Sequence, residues 1–217
     1  MTIKNNLIKL NGIIIKETDY NEYDKLITLL TREKGKIKAY AFNVRKSNSK
    51  NIGKAKLFTL GTFELRENNE SYTLENIIIK EDFNDLTKDY ESVCYASYFI
   101  ELADYFSYEN IESEEVIDLL YFALKSLIKG IVDKKLIRRI FELKILKYQG
   151  EYKDSDNLLD KNATLKYTWD FVISSLPQKL FTFKLSDEIF KKFNDEVAIE
   201  MRDKVSFKFK SLNEIID

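Results

Sequence analysis

The chain has 217 residues, of which 35 are Lys or Arg, 36 are Asp or Glu and none is His. Its 44% of hydrophobic and 33% of charged residues are typical of a globular protein, and its length suits one large domain or two small ones. No apolar run approaches the roughly 18 residues that a membrane span needs, and the first residues lack the apolar core of a signal peptide. We therefore predict a cytoplasmic protein with no membrane association.

The histidine and cysteine content limits the chemistry that the chain can perform. Without histidine there is no Ser-His-Asp or Cys-His nucleophile and no histidine metal site, and the single cysteine, Cys94, excludes an internal disulfide and a cysteine-rich zinc site. The carboxylates show no spacing that marks a catalytic pair. We predict that the protein is not an enzyme and needs no cofactor, and that Cys94 is a buried thiol.

Residues 1–80 are predicted to form a β domain. Five strand-like runs are separated by turn signals: Leu7–Lys16, Leu26–Thr31, Lys36–Phe42, Leu57–Arg66 and Ser71–Ile79. Five strands with a glycine, Gly12, inside the long first one indicate a small closed barrel of the OB type. A five-stranded SH3-like barrel fits the same periodicity and stays open as an alternative.

A basic patch lies inside this β domain. The stretch from residue 32 to residue 56 contains one acid, Glu33, and nine of the 35 basic residues: Arg32, Lys34, Lys36, Lys38, Arg45, Lys46, Lys50, Lys54 and Lys56. Because the rest of the chain carries an excess of acids, this is a local patch on an otherwise acidic protein. The part of the patch that follows the third strand is rich in Ser, Asn and Gly, and we expect it to be a mobile, positive loop.

The third strand sorts its side chains by chemistry, because strand side chains alternate between two faces. One face is small and apolar and suits a barrel core: Ile37, Ala39 and Ala41. The other face carries two ammonium groups and two aromatic rings: Lys36, Lys38, Tyr40 and Phe42. Single-stranded nucleic acid needs cations for its phosphates and rings for its bases, so we predict that this face and the nine cations bind DNA. The alternative is that the lysines protect a strand edge and the rings pack under the loop.

Residues 81–217 are predicted to form an all-helical domain with 20 basic and 27 acidic residues. The expected helices cover residues 85–106, a segment from Ser113 to Gly130, a segment from Asp133 to Gly150, and residues 186–204. Residues 151–164 have loop composition, and Pro177 breaks the segment before the last helix. The predicted fold class is therefore α+β, with the OB-type barrel first and the helical domain second.

A second basic cluster opens the helix that follows Asp133. It consists of Lys134, Lys135, Arg138 and Arg139. Such a cluster could receive an acidic peptide tail, and it supports an alternative function, a non-catalytic adaptor whose helical domain binds protein partners. A solvated helix face is the simpler interpretation of the same residues.

Several segments, taken in order, resemble the RecO family of bacterial DNA repair and recombination mediator proteins. They are DYNEYDKL at 19–26, LLTREKGK at 29–36, FTLGTFEL at 58–65, YASYFIEL at 95–102, FELKIL at 141–146 and KFKSL at 208–212. The resemblance implies an N-terminal OB domain that binds single- and double-stranded DNA and anneals complementary strands. It also implies two partners, RecR and the C-terminal tail of single-strand-binding protein, with which the protein would load RecA.

The match to the family's basic pattern falls on three dipeptides: Gly35-Lys36, Arg45-Lys46 and Ser49-Lys50. This sequence departs from the family at Phe42 and Asn43, where Lys and Gly are common, and at Leu57, where proline is common. It also lacks the two Cys-x-x-Cys pairs with which many members hold zinc after the position of Gly150. We therefore predict no metal site.

Overall fold

The computed structural model describes residues 7–68, 71–153, 158 and 162–215. Five strands form its first part: β1 Leu7–Asp19, β2 Lys25–Thr31, β3 Gly35–Ala41, β4 Leu60–Asn68 and β5 Ser71–Glu81. All five predicted strands are present. The predicted start of β4 at Leu57 is wrong, because Phe58 adopts φ 69°, a left-handed conformation that an extended strand does not contain.

The strands close into a barrel in the order β1-β2-β3-β5-β4. Neighbouring strands are antiparallel except β3 and β5, which are parallel and pair at Ala39 with Tyr72 and at Tyr40 with Thr73. This short parallel seam closes the barrel and gives the order of the OB fold, so the predicted OB-type barrel is confirmed. The long β1 pairs with both β2 and β4 and contains a bulge between Ile14 and Lys16, where it bends around the barrel.

The barrel core consists of the inward side chains that strand alternation predicts. Ile37, Ala39 and Ala41 of β3 are buried together with Ile27 and Leu29 of β2. Inside β1 a glycine is required, since a Cβ on Gly12 would lie 2.3 Å from the carbonyl oxygen of Leu30 on the neighbouring strand. The close approach of the two backbones at this point depends on the missing side chain.

Six α-helices and two short 3-10 helices follow the barrel in the described residues. The α-helices are α1 Tyr90–Phe106, α2 Glu114–Lys129, α3 Lys134–Tyr148, α4 Ala163–Ser174, α5 Pro177–Leu180 and α6 Asp187–Lys204, and the 3-10 helices are Asn84–Lys88 and Ser211–Glu214. The Asp133 carboxylate accepts the backbone N–H groups of Lys135 and Leu136 and so caps α3. Gly130 follows α2 with φ 62°. The buried position predicted for Cys94, on α1, is confirmed.

Two compact units make up the chain. One runs up to Phe83 and also contains Ser107–Ile117, and the other consists of Asn84–Phe106 and the residues from Asp118 onward. The segment Ser107–Ile117 thus packs with the barrel although it follows α1 in sequence. The sequence did not predict that Ser107–Ile117 belongs to the barrel unit, and the domain boundary that it predicted at residue 80 stays a prediction. Half of the loop predicted for residues 151–164, namely 154–157 and 159–161, lies outside the described residues, and α4 begins inside the predicted loop at Ala163.

A buried ionic network joins three helices of the second unit. Glu142 accepts hydrogen bonds from Arg138 Nε at 3.0 Å, from Arg139 Nη1 at 2.6 Å and from the Tyr98 hydroxyl at 2.7 Å. Arg139 Nε also donates to Asn194 Oδ1 at 2.7 Å. Burial and the adjacent Glu142 charge raise the pKa of Tyr98 well above its ordinary value.

This network corrects the interpretation of the second basic cluster as one surface. Arg138 and Arg139 are only 6% and 7% exposed, because their charges are used inside the helical unit. Lys134 Nζ lies 2.5 Å from carboxylate oxygens of both Asp89 and Glu91. Lys135 is half-buried at the start of α3. An acidic partner could therefore reach only the first turn of this helix.

The described residues contain no helix that is long and apolar enough to cross a membrane. Across the same part of the chain, no group of three or more Cys, Asp and Glu side chains is arranged to hold a metal ion. The segment after Gly150 lies partly outside the described ranges, so the expected absence of zinc stays a prediction.

Candidate nucleic-acid interface

A groove of about 760 Å³ runs along the outer face of β3. Its walls come from β3, the β2–β3 turn, the β4–β5 hairpin and the segment that follows α1. The polar and aromatic residues that line it are Lys34, Lys36, Lys38, Tyr40, Glu67, Tyr72 and Glu109. We call it the β3 groove. It brings together four residues of the predicted DNA-binding set, and it adds two acids and a tyrosine.

The outer face of β3 has the alternation that the sequence predicts. Lys38 is exposed, Lys36 and Tyr40 are half-buried, and Phe42 at the end of the strand is 47% exposed. Within the described part of the chain no carboxylate pairs with Lys38. Because Phe42 is 47% exposed, the alternative that its ring is packed beneath the loop is excluded.

Three aromatic rings form a row beside the groove. Tyr40 and Phe42 are parallel, with ring centroids 5.9 Å apart and an angle of 9° between their planes. Tyr20, in the β1–β2 turn, meets the Tyr40 ring edge-on at 5.2 Å and is 52% exposed. Sequence reasoning missed Tyr20, although its place in a turn directly after a strand marked it as a candidate for exposure. The row offers flat apolar faces next to the cations of β3.

The loop from Asn43 to Thr59 is anchored, which contradicts the expected mobile segment. Val44, Asn51 and Ala55 are buried. The Asn51 side chain donates to the carbonyl oxygen of Glu75 at 3.1 Å and accepts the N–H of Ile77 at 3.1 Å, so it binds the backbone of β5 as a paired strand would. A buried amide with both ends satisfied holds the loop against the barrel.

The cations of this loop are distributed over several partners. Arg45 pairs with Asp19 at 2.9 Å, Lys56 lies 4.0 Å from Asp82, and Lys54 donates to the carbonyl oxygen of Ile77 at 3.3 Å. Lys46 lies over the Tyr23 ring, 5.0 Å from its centroid, and Lys50 is exposed. Because Tyr23 and Tyr20 belong to the same β1–β2 turn, Arg45 and Lys46 adjoin the aromatic row.

The segment Ser107–Ile117 docks on the β2–β3 turn. The N–H of Lys36 donates to Tyr108 O at 3.1 Å, and the N–H of Asn110 donates to Lys34 O at 2.9 Å. Gly35 makes this contact possible, since it has φ 62° and a Cβ there would lie 2.2 Å from Tyr108 O. The docked segment brings Glu109 to the groove, and its Glu114 pairs with Arg32 at 3.0 Å. Arg32 does not line the groove.

Lys34 is held by the barrel itself. Its Nζ donates to Glu67 Oε1 at 2.9 Å and to the Tyr72 hydroxyl oxygen at 3.2 Å, and the Tyr72 hydroxyl donates to the same Glu67 oxygen at 3.1 Å. The hydrogen bond to Lys34 lowers the pKa of Glu67, and the hydrogen bond to Glu67 raises the pKa of Lys34. A lysine predicted to bind DNA is thus already bound to a carboxylate.

The architecture is that of an OB-type barrel followed by a helical region, with a cationic and aromatic groove on the barrel. Family models for the N-terminal and C-terminal parts of recombination protein O match residues 4–83 and residues 87–175. The chain belongs to the RecO family, and the membership that its motifs predict is confirmed.

Proteins named DNA repair protein RecO are similar to this chain over much of its length. The one from Caldicellulosiruptor bescii is 35% identical over 66% of this chain and 59% of its own length. The one from Caldicellulosiruptor saccharolyticus is 29% identical over 91% of this chain and 78% of its own length. The one from Listeria monocytogenes serotype 4b is 32% identical over 77% of this chain and 65% of its own length. The chain therefore matches between about three fifths and four fifths of each relative.

Proposed function

We propose that this protein is a non-catalytic, cytoplasmic recombination mediator in DNA repair, which binds single- and double-stranded DNA and anneals complementary strands. Together with RecR it would help to load RecA onto DNA coated by single-strand-binding protein. The observation that carries the proposal is the outer face of β3, where Lys38 stands beside the stacked rings of Tyr40 and Phe42. Family membership supports the repair role.

The geometry suits an unpaired strand better than a duplex. Bases that are not paired can stack on exposed rings, while the phosphates that connect them lie along cations a few ångströms away. Tyr20 and Phe42, on either side of Tyr40, supply the exposed rings, and Lys38 supplies an available ammonium group. Annealing also requires that the charge of a second strand is screened, and Arg45 and Lys46 adjoin the same row.

The proposed function predicts strongly salt-dependent binding. A strand that engages about five phosphates should give a log–log slope of affinity against salt near −3.5. The measurement is fluorescence anisotropy of an unstructured oligonucleotide between 50 mM and 200 mM salt, a range over which contacts of this kind lose most of their affinity. Affinity that stays flat over this range would contradict the proposal.

A second assay tests the mediator role directly. Complementary strands coated with single-strand-binding protein should anneal faster when this protein is added, and the acceleration should fall as salt rises. Naked strands serve as the control for annealing that needs no mediator. Turnover of a nucleotide or a nucleic acid by the pure protein would contradict the non-catalytic part of the proposal.

A second candidate function is supported by a groove of about 670 Å³ in the helical unit. The start of α3 and the segment before α6 form it, and its residues include Ile131, Lys134, Lys135, Lys184 and Phe190. Ile131 is largely exposed, and Lys135 and Lys184 beside apolar side chains suit a peptide that is acidic and ends in hydrophobic residues, although Glu91, Asp133 and Asp187 also line the groove. The proposed occupant is the C-terminal tail of single-strand-binding protein.

This candidate predicts binding of such a peptide in the absence of DNA. Exchanging Lys135 and Lys184 for glutamate should weaken the peptide at least tenfold, because each exchange replaces an attraction by a repulsion. The double variant Lys191→Glu, Arg202→Glu, at exposed positions of α6 outside the groove, makes the same change of net charge and is the control. Equal weakening by the control variant, or no binding by the wild type, would rule out this groove as the peptide site.

A further inference from the structure

The ion pair between Lys34 and Glu67 stands at the seam where the barrel closes. In the described residues, β3 and β5 pair in parallel register at two positions, Ala39 with Tyr72 and Tyr40 with Thr73. Glu67 and Tyr72 face each other at the end of the β4–β5 hairpin, and both reach across to Lys34 at the β2–β3 turn. The pair therefore lies on the wall of the β3 groove, next to Lys36 and Lys38.

From this geometry we infer that Glu67 is a built-in competitor for phosphate, which occupies Lys34 and limits the affinity of the β3 groove for a nucleic acid strand. The inference rests on the proposed function and assigns to one acidic residue the control of how tightly the strand is held. A carboxylate and a phosphate both offer anionic oxygens to an ammonium group, so the two compete for the same donor.

Three observations indicate that Glu67 competes with phosphate for Lys34 and does not form a buried structural pair with it. The side chains of Lys34 and Glu67 are 33% and 34% exposed, so solvent and a ligand can reach both. Exposed pairs of this kind contribute little to folding and are easily exchanged. Tyr72 holds the carboxylate in position by donating to it, and its ring lies 5.5 Å from Lys34 Nζ, which keeps the ammonium group at the groove.

A mediator that anneals strands must also release them, and a competing carboxylate provides for this. When a phosphate leaves Lys34, Glu67 takes its place, so the ammonium group is never left without a counterion. This lowers the barrier for a strand to slide or dissociate compared with a groove in which each lysine must be resolvated. The competition weakens the binding of the strand by the equivalent of one phosphate contact.

The test is the exchange Glu67→Gln, which keeps the shape and the hydrogen-bond acceptor but removes the charge. Each phosphate contact on a single strand changes the affinity by about fivefold at 0.1 M salt and the salt slope by about 0.7. We therefore expect Glu67→Gln to bind an unstructured oligonucleotide about fivefold more tightly, with a slope steeper by about 0.7. The double variant Lys34→Met, Glu67→Gln should lose this gain.

The matched control is Glu75→Gln. It makes the same change of net charge and removes the ion pair of Glu75 with Arg66, whose atoms lie 3.0 Å apart on the barrel but outside the groove. It should leave the affinity and the slope nearly unchanged. A further variant, Glu67→Asp, keeps the negative charge on a shorter side chain and so moves it away from Lys34. We expect it to bind the oligonucleotide more tightly than the wild type, but by less than Glu67→Gln.

The outcomes separate the inference from the function on which it rests. If the wild type binds the oligonucleotide but Glu67→Gln binds no more tightly, the competitor is overturned and the proposed function stands. A gain of equal size in Glu75→Gln also overturns it, since net charge would then be the cause. If the wild type fails to bind at all, the proposed function itself is refuted. A lowered melting temperature of Glu67→Gln without tighter binding would mean that the pair serves only to close the barrel.

Discussion

Exchanging Lys36, Lys38, Arg45 and Lys46 for glutamine is expected to weaken single-stranded DNA binding by about 100-fold at 0.1 M salt. Four independent phosphate contacts would give up to about 600-fold at this salt concentration. The expected loss is smaller because Arg45 is already paired with Asp19, so part of its charge is compensated in the free protein. The log–log salt slope should become shallower by about 2 to 3.

The melting temperature of this variant should stay nearly the same as that of the wild type. Lys38, Arg45 and Lys46 are exposed and Lys36 is half-buried, and surface contacts such as the ion pair of Arg45 with Asp19 contribute little to stability. The measurement is therefore paired: anisotropy for the affinity and thermal unfolding for the fold. A variant that unfolds, or one that binds as tightly as the wild type, would show that these residues do not form the DNA surface.

The variant Tyr40→Leu, Phe42→Leu is the matched comparison for this experiment. Loss of a stacked base costs about 1–3 kcal/mol, so the affinity should fall by about tenfold or more. Because no charge is removed, the salt slope should stay at the wild-type value. The two variants thus separate the cationic from the aromatic part of the interface, and a change of slope in the aromatic variant would contradict this division.

The largest effect on stability is expected from Glu142→Leu. The exchange leaves the buried guanidinium groups of Arg138 and Arg139 without their carboxylate, and breaking a buried pair in this way costs about 3–5 kcal/mol. The Tyr98 hydroxyl loses its acceptor in the same step. Urea denaturation followed by circular dichroism measures the loss, and the helical unit should unfold first.

Two further variants test whether the loss of stability in Glu142→Leu is caused by breaking the buried ion pairs. Exchanging all three charged residues for apolar ones of similar size, Arg138→Met, Arg139→Met and Glu142→Leu, should restore most of the lost stability, since the two buried guanidinium groups are then removed together with their carboxylate. Glu188→Gln removes the partner of Lys192 on the surface of α6 and should leave stability nearly unchanged. A loss below about 1 kcal/mol in Glu142→Leu would show that the network is not held in a low-dielectric interior.

The local patterns of the chain predicted the elements and the faces of the candidate site. Strand alternation over β3 assigned Ile37, Ala39 and Ala41 to the core and Lys38 and Phe42 to the surface, as observed. These features depend on residues that are neighbours in sequence, where the periods of strands and helices and the geometry of caps act. The family motifs lie in the same elements.

The sequence by itself thus determined the strands, the faces of β3 and the family, and the tertiary structure decided which cations are available. Lys34 is occupied by Glu67, which is 33 positions away. Arg138 is buried because it pairs with Glu142, which also binds the hydroxyl of Tyr98, 44 positions away. The loop is anchored because Asn51 finds the backbone of β5. Such partners meet only after the chain has folded, because Coulomb and hydrogen-bond energies depend on distance in space and not on separation along the chain.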